Sequence, residues 1–293
     1  MPWSLPEPLS RAVTLPGARA DQLLILGGLT ASDQSTAQIL TLAVATGQHQ
    51  QVGWLTGPLH DAAGAALGGR DLVLGGGEYV SVAGVQAVRS SLGRATLIGS
   101  LPQPRSDAAA VVIHHTAYVI GGYDGTSLDA AVLATTDGTG FARVATLAVP
   151  VRYPAVAAQD GRIYVFGGQT SSGAPTAVIQ MINPATHVGE RVGRLPEAVT
   201  GATALVVAGV LFVLGGSTTV AGGTPPNPSI WAFDPATGSV RLAGRLQLPV
   251  AHASAVALAG RGWIVGGEGA TGPVARVQEL FPTPAARGSA PAS

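Results

Sequence analysis

The stretch Leu24-Ile25-Leu26-Gly27-Gly28 decides how this chain is read. Five further copies follow it: Val73-Leu74-Gly75-Gly76, Val119-Ile120-Gly121-Gly122, Val165-Phe166-Gly167-Gly168, Val213-Leu214-Gly215-Gly216 and Ile264-Val265-Gly266-Gly267. The first glycine of each pair falls at 27, 75, 121, 167, 215 and 266, so the step is 46 to 51 residues. A near-constant period of this size marks a repeat architecture, in which each unit buries its apolar face against its neighbours. It states a fold before it states a chemistry.

Composition bounds the rest. The chain has 293 residues, 46% of them hydrophobic and only 11% charged, so there is ample apolar material to bury. A uniform repeat over this length predicts one closed repeat domain, and 41 glycines with 21 prolines predict many tight turns. Sixteen basic residues, all arginine, balance sixteen acidic ones. That neutrality excludes the basic face a nucleic acid needs and attraction to anionic membranes through bulk charge. The absence of lysine reads as a GC-rich coding bias, which also favours Ala, Gly and Val. With no cysteine there is no disulfide, thiolate metal site or cysteine nucleophile. No stretch reaches the roughly 18 apolar residues of a membrane helix. Met1-Pro2-Trp3-Ser4-Leu5-Pro6 lacks the basic region and apolar run of a signal peptide.

The third repeat shows the internal order most clearly. Leu101 to Asp107 is a polar, proline-containing connection, and Ala108 to Ile113 an apolar run of small residues. His114-His115-Thr116 makes a turn, Ala117 to Gly122 a second apolar strand, and Tyr123 to Ser127 a loop. Ala131–Thr136 and Phe141–Leu147 supply two more strands. Runs of four to seven residues bounded by Gly, Pro, Asp and Ser are strands, too short and β-branched for helices. The first two strands are apolar on both faces and belong inside, the small-residue one nearest the centre. The later two alternate and belong nearer solvent.

Repeats of this length, each with an apolar strand ending in Gly-Gly, resemble the kelch family of β-propellers. The resemblance covers residues 1 to about 282. It implies an all-β six-bladed propeller, with four antiparallel strands per blade around a central channel. Kelch repeats usually carry a Tyr and a Trp after the double glycine; most repeats here lack that pair, Trp231 standing as a remnant. After the sixth double glycine only one clear strand is left, Val274 to Phe281. Residues 2–5 match the fourth-strand pattern and are expected to close that last blade. One domain over 1–282 is expected, with a mobile Pro/Ala-rich tail over 283–293.

In kelch propellers with ligands, contacts come from two loop sets on one face. The first precedes the innermost strands. Aligned on its prolines, it offers Ser10, His60, Ser106, Arg152, Thr200 and Ala251, and one residue later Arg11, Asp61, Asp107, Tyr153, Gly201 and His252. The second follows the double glycines and offers Glu78, Tyr123, Asp124 and Glu268. Such residues should ring the channel mouth. One reading is a ligand pocket, with Arg11 and Arg152 holding a carboxylate, Asp61, Asp107 and Glu268 accepting from hydroxyls, and Tyr123 or Tyr153 stacking on a sugar face. The other is that these groups pair with one another and cap the channel. No spaced metal motif, nucleophile elbow or phosphate loop is present, so no cofactor, metal or catalytic residue is assigned.

The function these features imply is a non-catalytic module recognising a glycan, peptide or protein, expected to be a monomer. An exported or cell-surface bacterial setting is favoured over a cytoplasmic one. Two alternatives stand beside it. One is a sugar mutarotase, with His252 and Asp61 as acid and base. The other is a scaffold docking through a face or blade edge.

Overall fold

The computed structural model describes residues 3–89, 93–219 and 225–281. Every regular element among them is a β-strand. The expected tail over 283–293 lies outside the described residues.

The chain opens with β1 (Trp3–Ser4) and β2 (Leu9–Ser10). A first meander follows: β3 (Val13–Pro16), β4 (Gln22–Leu26), the short β5 (Leu29–Thr30) that pairs back onto β2, β6 (Thr36–Ala43) and β7 (His49–Leu59). The second is β8 (Ala63–Leu67), β9 (Arg70–Leu74), β10 (Gly84–Arg89) and β11 (Arg94–Ser100). Next come β12 (Ala109–Ile113), β13 (Thr116–Ile120), β14 (Ala131–Thr135) and β15 (Ala142–Thr146). They are followed by β16 (Ala155–Gln159), β17 (Arg162–Phe166), β18 (Thr176–Asn183) and β19 (Val188–Val199). Then stand β20 (Thr203–Val207), β21 (Val210–Leu214), β22 (Ser229–Asp234) and β23 (Ser239–Arg245). The last part holds β24 (Ser254–Leu258), β25 (Arg261–Val265), a small hairpin of β26 (Glu268–Gly269) and β27 (Gly272–Pro273), and β28 (Arg276–Leu280).

These strands form four sheets of four and one sheet of eight, besides the two-stranded pairs β2-β5 and β26-β27. The eight-stranded sheet is the first and second meanders set edge to edge, joined by one parallel bridge between Trp54 of β7 and Arg94 of β11. Within each meander the pairing is antiparallel, as the short connections require. The first hairpin turns carry the residues two-residue turns need: Asp160-Gly161 and Gly68-Gly69 have positive φ at both positions.

Apolar residues of each meander pack against the next in six clusters. Leu72 and Leu74 meet Ala117 and Val119, for example, and Tyr164 and Phe166 meet Phe233. Burial of each such Leu or Phe stabilises by about 1.5–3 kcal/mol. The second strands are the most buried, as their unbroken apolar runs predict; Leu24, Leu74, Ile120, Phe166, Leu214 and Val265 are all inside. Two of the innermost strands differ from that expectation. β12 and β24 are only half-buried, because one side of each faces a narrow channel of about 190 Å³ lined by Ala, Gly, Thr and other small residues. Small side chains suit that strand because the sheets converge there.

The double glycine has a specific duty, seen at Gly121-Gly122. The Gly122 N–H donates to the Val151 carbonyl of the next meander at 2.9 Å. A Cβ on Gly121, whose φ is 65°, would lie 2.5 Å from that same oxygen. Glycine therefore permits both the left-handed turn and the close approach of a neighbouring sheet. The same bond recurs from Gly28 to Leu59, Gly76 to Arg105, Gly168 to Val199 and Gly216 to Val250.

The last of the series runs from Gly267 back to Leu9, and so joins the end of the chain to its beginning. β1 completes the last sheet, with Trp3 opposite Val277 and Ser4 opposite Arg276, and Leu5 N–H donates to the Ala275 carbonyl at 2.7 Å. Leu5, Leu9, Leu23 and Ile25 share a core with Trp263, Val265 and Val277. The closing strand read from the sequence is thus observed, although residue 2 lies outside the described residues.

Polar clasps on the third strands went unread. Gln180 lies within β18, where its amide nitrogen donates to the Val149 carbonyl at 2.9 Å and its oxygen accepts from the Val149 N–H at 2.8 Å. Gln278 grips Leu248 in the same way. Each fixes the incoming connection of its own sheet and satisfies buried backbone groups.

Candidate ligand-binding mouth

The loops before the innermost strands meet at the channel mouth in a ring of main-chain bonds. Asp61 N–H donates to the Arg11 carbonyl, Asp107 to Asp61, Tyr153 to Asp107, Gly201 to Tyr153, His252 to Gly201 and Arg11 to His252, at 2.7 to 3.1 Å. The ring closes on itself. To make it, Arg11, Asp61, Asp107, Tyr153 and His252 all adopt φ of 50 to 59°, as does Gly201 at 62°. These are the positions that the proline alignment brings into one register. Immediately before them, His60 bridges Gly77, Ser106 bridges Tyr123, Arg152 bridges Gln169, Thr200 bridges Ser217 and Ala251 bridges Glu268. The loops after the double glycines are thereby stacked on the ring.

The side chains above the ring form one network. Arg11 donates through Nη1 to Asp61 Oδ2 at 2.9 Å and through Nε to Glu268 Oε1 at 2.6 Å. Arg152 Nη2 stands 2.6 Å from Asp107 Oδ2. The Tyr153 hydroxyl joins the two halves: it accepts from Arg11 at 3.0 Å and from Arg152 at 2.9 Å, and donates to Asp61 at 3.4 Å. Arg152 lies over the rings of Tyr123 and Tyr153, at 4.9 and 4.6 Å from their centroids. His252 meets the edge of Tyr153 at 4.6 Å, and His60 Nδ1 lies 2.8 Å from Ser35 Oγ.

Electrostatics follow from this packing. Burial works against the charge of Arg11, but Asp61, Tyr153 and Glu268 outweigh it and raise its pKa. Arg152 is raised in the same sense, with Asp107 and Tyr153 outweighing burial. Burial, then Asp61 and Asp107, raise Tyr153, which stays a neutral phenol. Burial followed by the Asp61 charge pushes the Asp107 carboxyl up to about 7. Burial, then Arg11, lowers His252, so its imidazole is neutral at pH 7.

Two open cavities flank the Arg11–Tyr153 partition. The larger, about 580 Å³, is walled by Arg11, Tyr153, Thr200, His252 and Glu268 among others. The smaller, about 430 Å³, is walled by His60, Asp61, Ser106, Asp107, Tyr123 and Arg152, with Glu78 and Asp124 on its side. Except for Ser10 and Gly201, every residue singled out in the two loop sets therefore lines one cavity or the other. They are not equivalent. Asp124 is occupied by its own turn, accepting from the Thr126 and Ser127 N–H groups at 2.7 Å, and these bonds hold its pKa far below the usual range. Ser106 is paired with Ser81 at 3.0 Å. Arg11 and Arg152, expected to hold a ligand carboxylate, already hold carboxylates of the chain itself. The rings of Tyr123 and Tyr153, expected to stack on a sugar, lie beneath Arg152. Among the described residues, no group of three or more His, Cys, Asp or Glu is arranged to hold a metal ion. No helix among them is long and apolar enough to cross a membrane.

Arg105 was not singled out and is the largest fully buried side chain among the described residues. It is ion-paired with Asp129 and donates to the carbonyls of Gly121 at 3.2 Å and Ala131 at 2.9 Å. Its place between Pro104 and Ser106 in the incoming loop was the available signal; the acidic partner 24 residues later was not.

Antiparallel meanders tied side by side around a channel, through their innermost loops, define a β-propeller. A model of the Kelch motif matches residues 104–131 and 150–188, and this chain is a kelch-repeat β-propeller. Beta-scruin of Limulus polyphemus is 29% identical over 181 residues, which is 58% of this chain and 20% of that protein. Kelch-like protein 38 of Mus musculus is 24% identical over 257 residues, 84% of this chain and 42% of that protein. The chain thus spans less than half the length of either relative. The solved structure of YjhT is similar in fold, with a TM-score of 0.80 at 15% identity, over 95% of this chain and 99% of that one.

Proposed function

We propose that this chain is a non-catalytic recognition propeller of six blades, a single domain over residues 1–282, whose ligand or protein partner enters the channel mouth. Six double glycines and a closed ring of six main-chain bonds support the blade number. The observation that carries the binding role is the backbone of that ring. Its geometry suits glycine, yet only Gly201 is one; Arg11 and Tyr153 hold the same left-handed conformation at a cost of about 1–3 kcal/mol each. Bulky side chains kept against that cost, above an open cavity of about 580 Å³, point to use of the side chains.

The mutarotase reading has less support. Asp61, its base or acid, is tied to Arg11, and His252 lies against Tyr153. A protein partner is the second reading, favoured by Tyr79 and Val80, which are 91% and 73% exposed on the wall of the smaller cavity. A monomer at the bacterial surface or outside the cell is the setting that fits a charge-poor, cysteine-free chain, and cell fractionation tests it.

The test of the binding role is a thermal-stability screen against sugars and peptides. A ligand at a hundred times its dissociation constant adds about 2.7 kcal/mol. A response lost in both Arg11→Ala and Arg152→Ala supports the mouth. A response that both variants retain removes it.

A further inference from the structure

Accepting the mouth as the binding site, we infer that its larger cavity takes an uncharged polyhydroxylated ligand, a neutral saccharide, and that Thr200 is a specificity residue for it. The wall of this cavity bears one arginine, Arg11, against two carboxylates, Asp33 and Glu268. Arg11 is already committed to Asp61 at 2.9 Å and Glu268 at 2.6 Å. A ligand carboxylate or phosphate would have to displace one of them, leaving like charges together in a half-buried site. Arg152, the other cation of the mouth, faces the smaller cavity and is held by Asp107. An anion therefore has nothing to gain on this side.

A hydroxyl has. Thr200 is 4% exposed, its Oγ1 is buried, and that atom has no hydrogen-bond partner among the described residues. A hydroxyl left in that state lowers stability, and Thr200 borders the cavity. Once rotation about χ1 turns Oγ1 toward the cavity, this one O–H with two lone pairs can both give to and take from a sugar hydroxyl, and Glu268 accepts from another. Leu29 and Pro273, on the same wall, offer apolar surface to the C–H face of a ring. That mixture of aliphatic wall and few polar groups is what a saccharide face matches.

The test uses the full chain, labelled, on an array presenting neutral oligosaccharides beside their sialic-acid- or uronic-acid-bearing counterparts. Neutral glycans should bind and the acidic counterparts should bind less. Thr200→Val should weaken the neutral hits about tenfold, the worth of one hydrogen bond. Its melting temperature should be unchanged or raised, because an unsatisfied hydroxyl has gone. Leu242→Ala, exposed on the outer strand β23, should leave the hits intact. A preference for acidic glycans, or neutral binding lost in Tyr123→Ala, in the other cavity, but kept in Thr200→Val, overturns this inference and spares the mouth as a binding site. Neutral binding unmoved by Thr200→Val, Glu268→Gln, Tyr123→Ala and Arg152→Ala overturns both. An array with no bound glycan overturns the saccharide assignment alone, the peptide arm of the stability screen deciding the mouth.

Discussion

At the hub, each sheet is tied to the next by main-chain bonds that look alike whichever residues supply them. At the perimeter, neighbouring outer strands among the described residues pair backbone to backbone at one bridge, Trp54 to Arg94. The hub is thus specified by conformation, and residue identity matters there only where a Cβ has no room. The perimeter is specified by which apolar side chains fill the space between sheets. The difference explains how a mouth can carry arginine, aspartate, tyrosine and histidine at equivalent positions without disturbing the wheel beneath it.

If that contrast is right, damage should scale with closeness to the hub. Asp129→Ala should cost most, about 3–5 kcal/mol, since it leaves the guanidinium of Arg105 buried and unpaired beside the Gly121 carbonyl. A denaturant titration measures it, and a loss under 1 kcal/mol would show that the side chain is dispensable to the hub. Gly121→Ala should cost about 3 kcal/mol, through a strained φ of 65° and a contact at 2.5 Å with the Val151 carbonyl.

A pH effect comes next in size. The ordinary carboxyl value of Asp107, 3.8, rises to about 7 in the folded chain. Between those values the folded chain keeps a proton that the unfolded chain has released. This group's contribution to stability is fully present below 3.8 and is lost as pH rises through about 7. Wild type should therefore lose melting temperature relative to Asp107→Asn from about pH 4 to 7; parallel curves would break the assignment. Gly57→Ala should do least, within about 0.5 kcal/mol, because no atom lies within 4 Å of its would-be Cβ and its φ is not positive. Equal losses at Gly57 and Gly121 would abolish the contrast between hub and perimeter.

The hub was legible because its demands are steric and recur with the repeat. Gly-Gly at a fixed step gives the second strands, and the prolines put Arg11, Asp61, Asp107, Tyr153, Gly201 and His252 in register. The pairing above the hub was not legible. Nothing in the spacing tells that Arg11 takes both Asp61 and Glu268, 50 and 257 residues away, while Arg152 takes Asp107. Those choices depend on side-chain reach across loops whose lengths vary from repeat to repeat. Thr200 was aligned with Ser10 and Ser106 but looked like any other hydroxyl, since an absent partner leaves no mark in sequence. The half-exposure of β12 and β24 was missed because a strand lining a narrow channel has the same apolar composition as one packed in a core.

The last sheet draws β1 from one end of the chain and β24, β25 and β28 from the other. During synthesis, Trp3 and Leu5 must wait until Val277 and Ala275 have left the ribosome before they can find their places. Until then the growing chain has an open strand edge and an unfilled apolar face at its start, the features that invite aggregation. Completion of the wheel is a late event that depends on contacts such as Trp3 to Val277, 274 residues apart. Removing either terminal strand should leave a protein that aggregates rather than a smaller wheel.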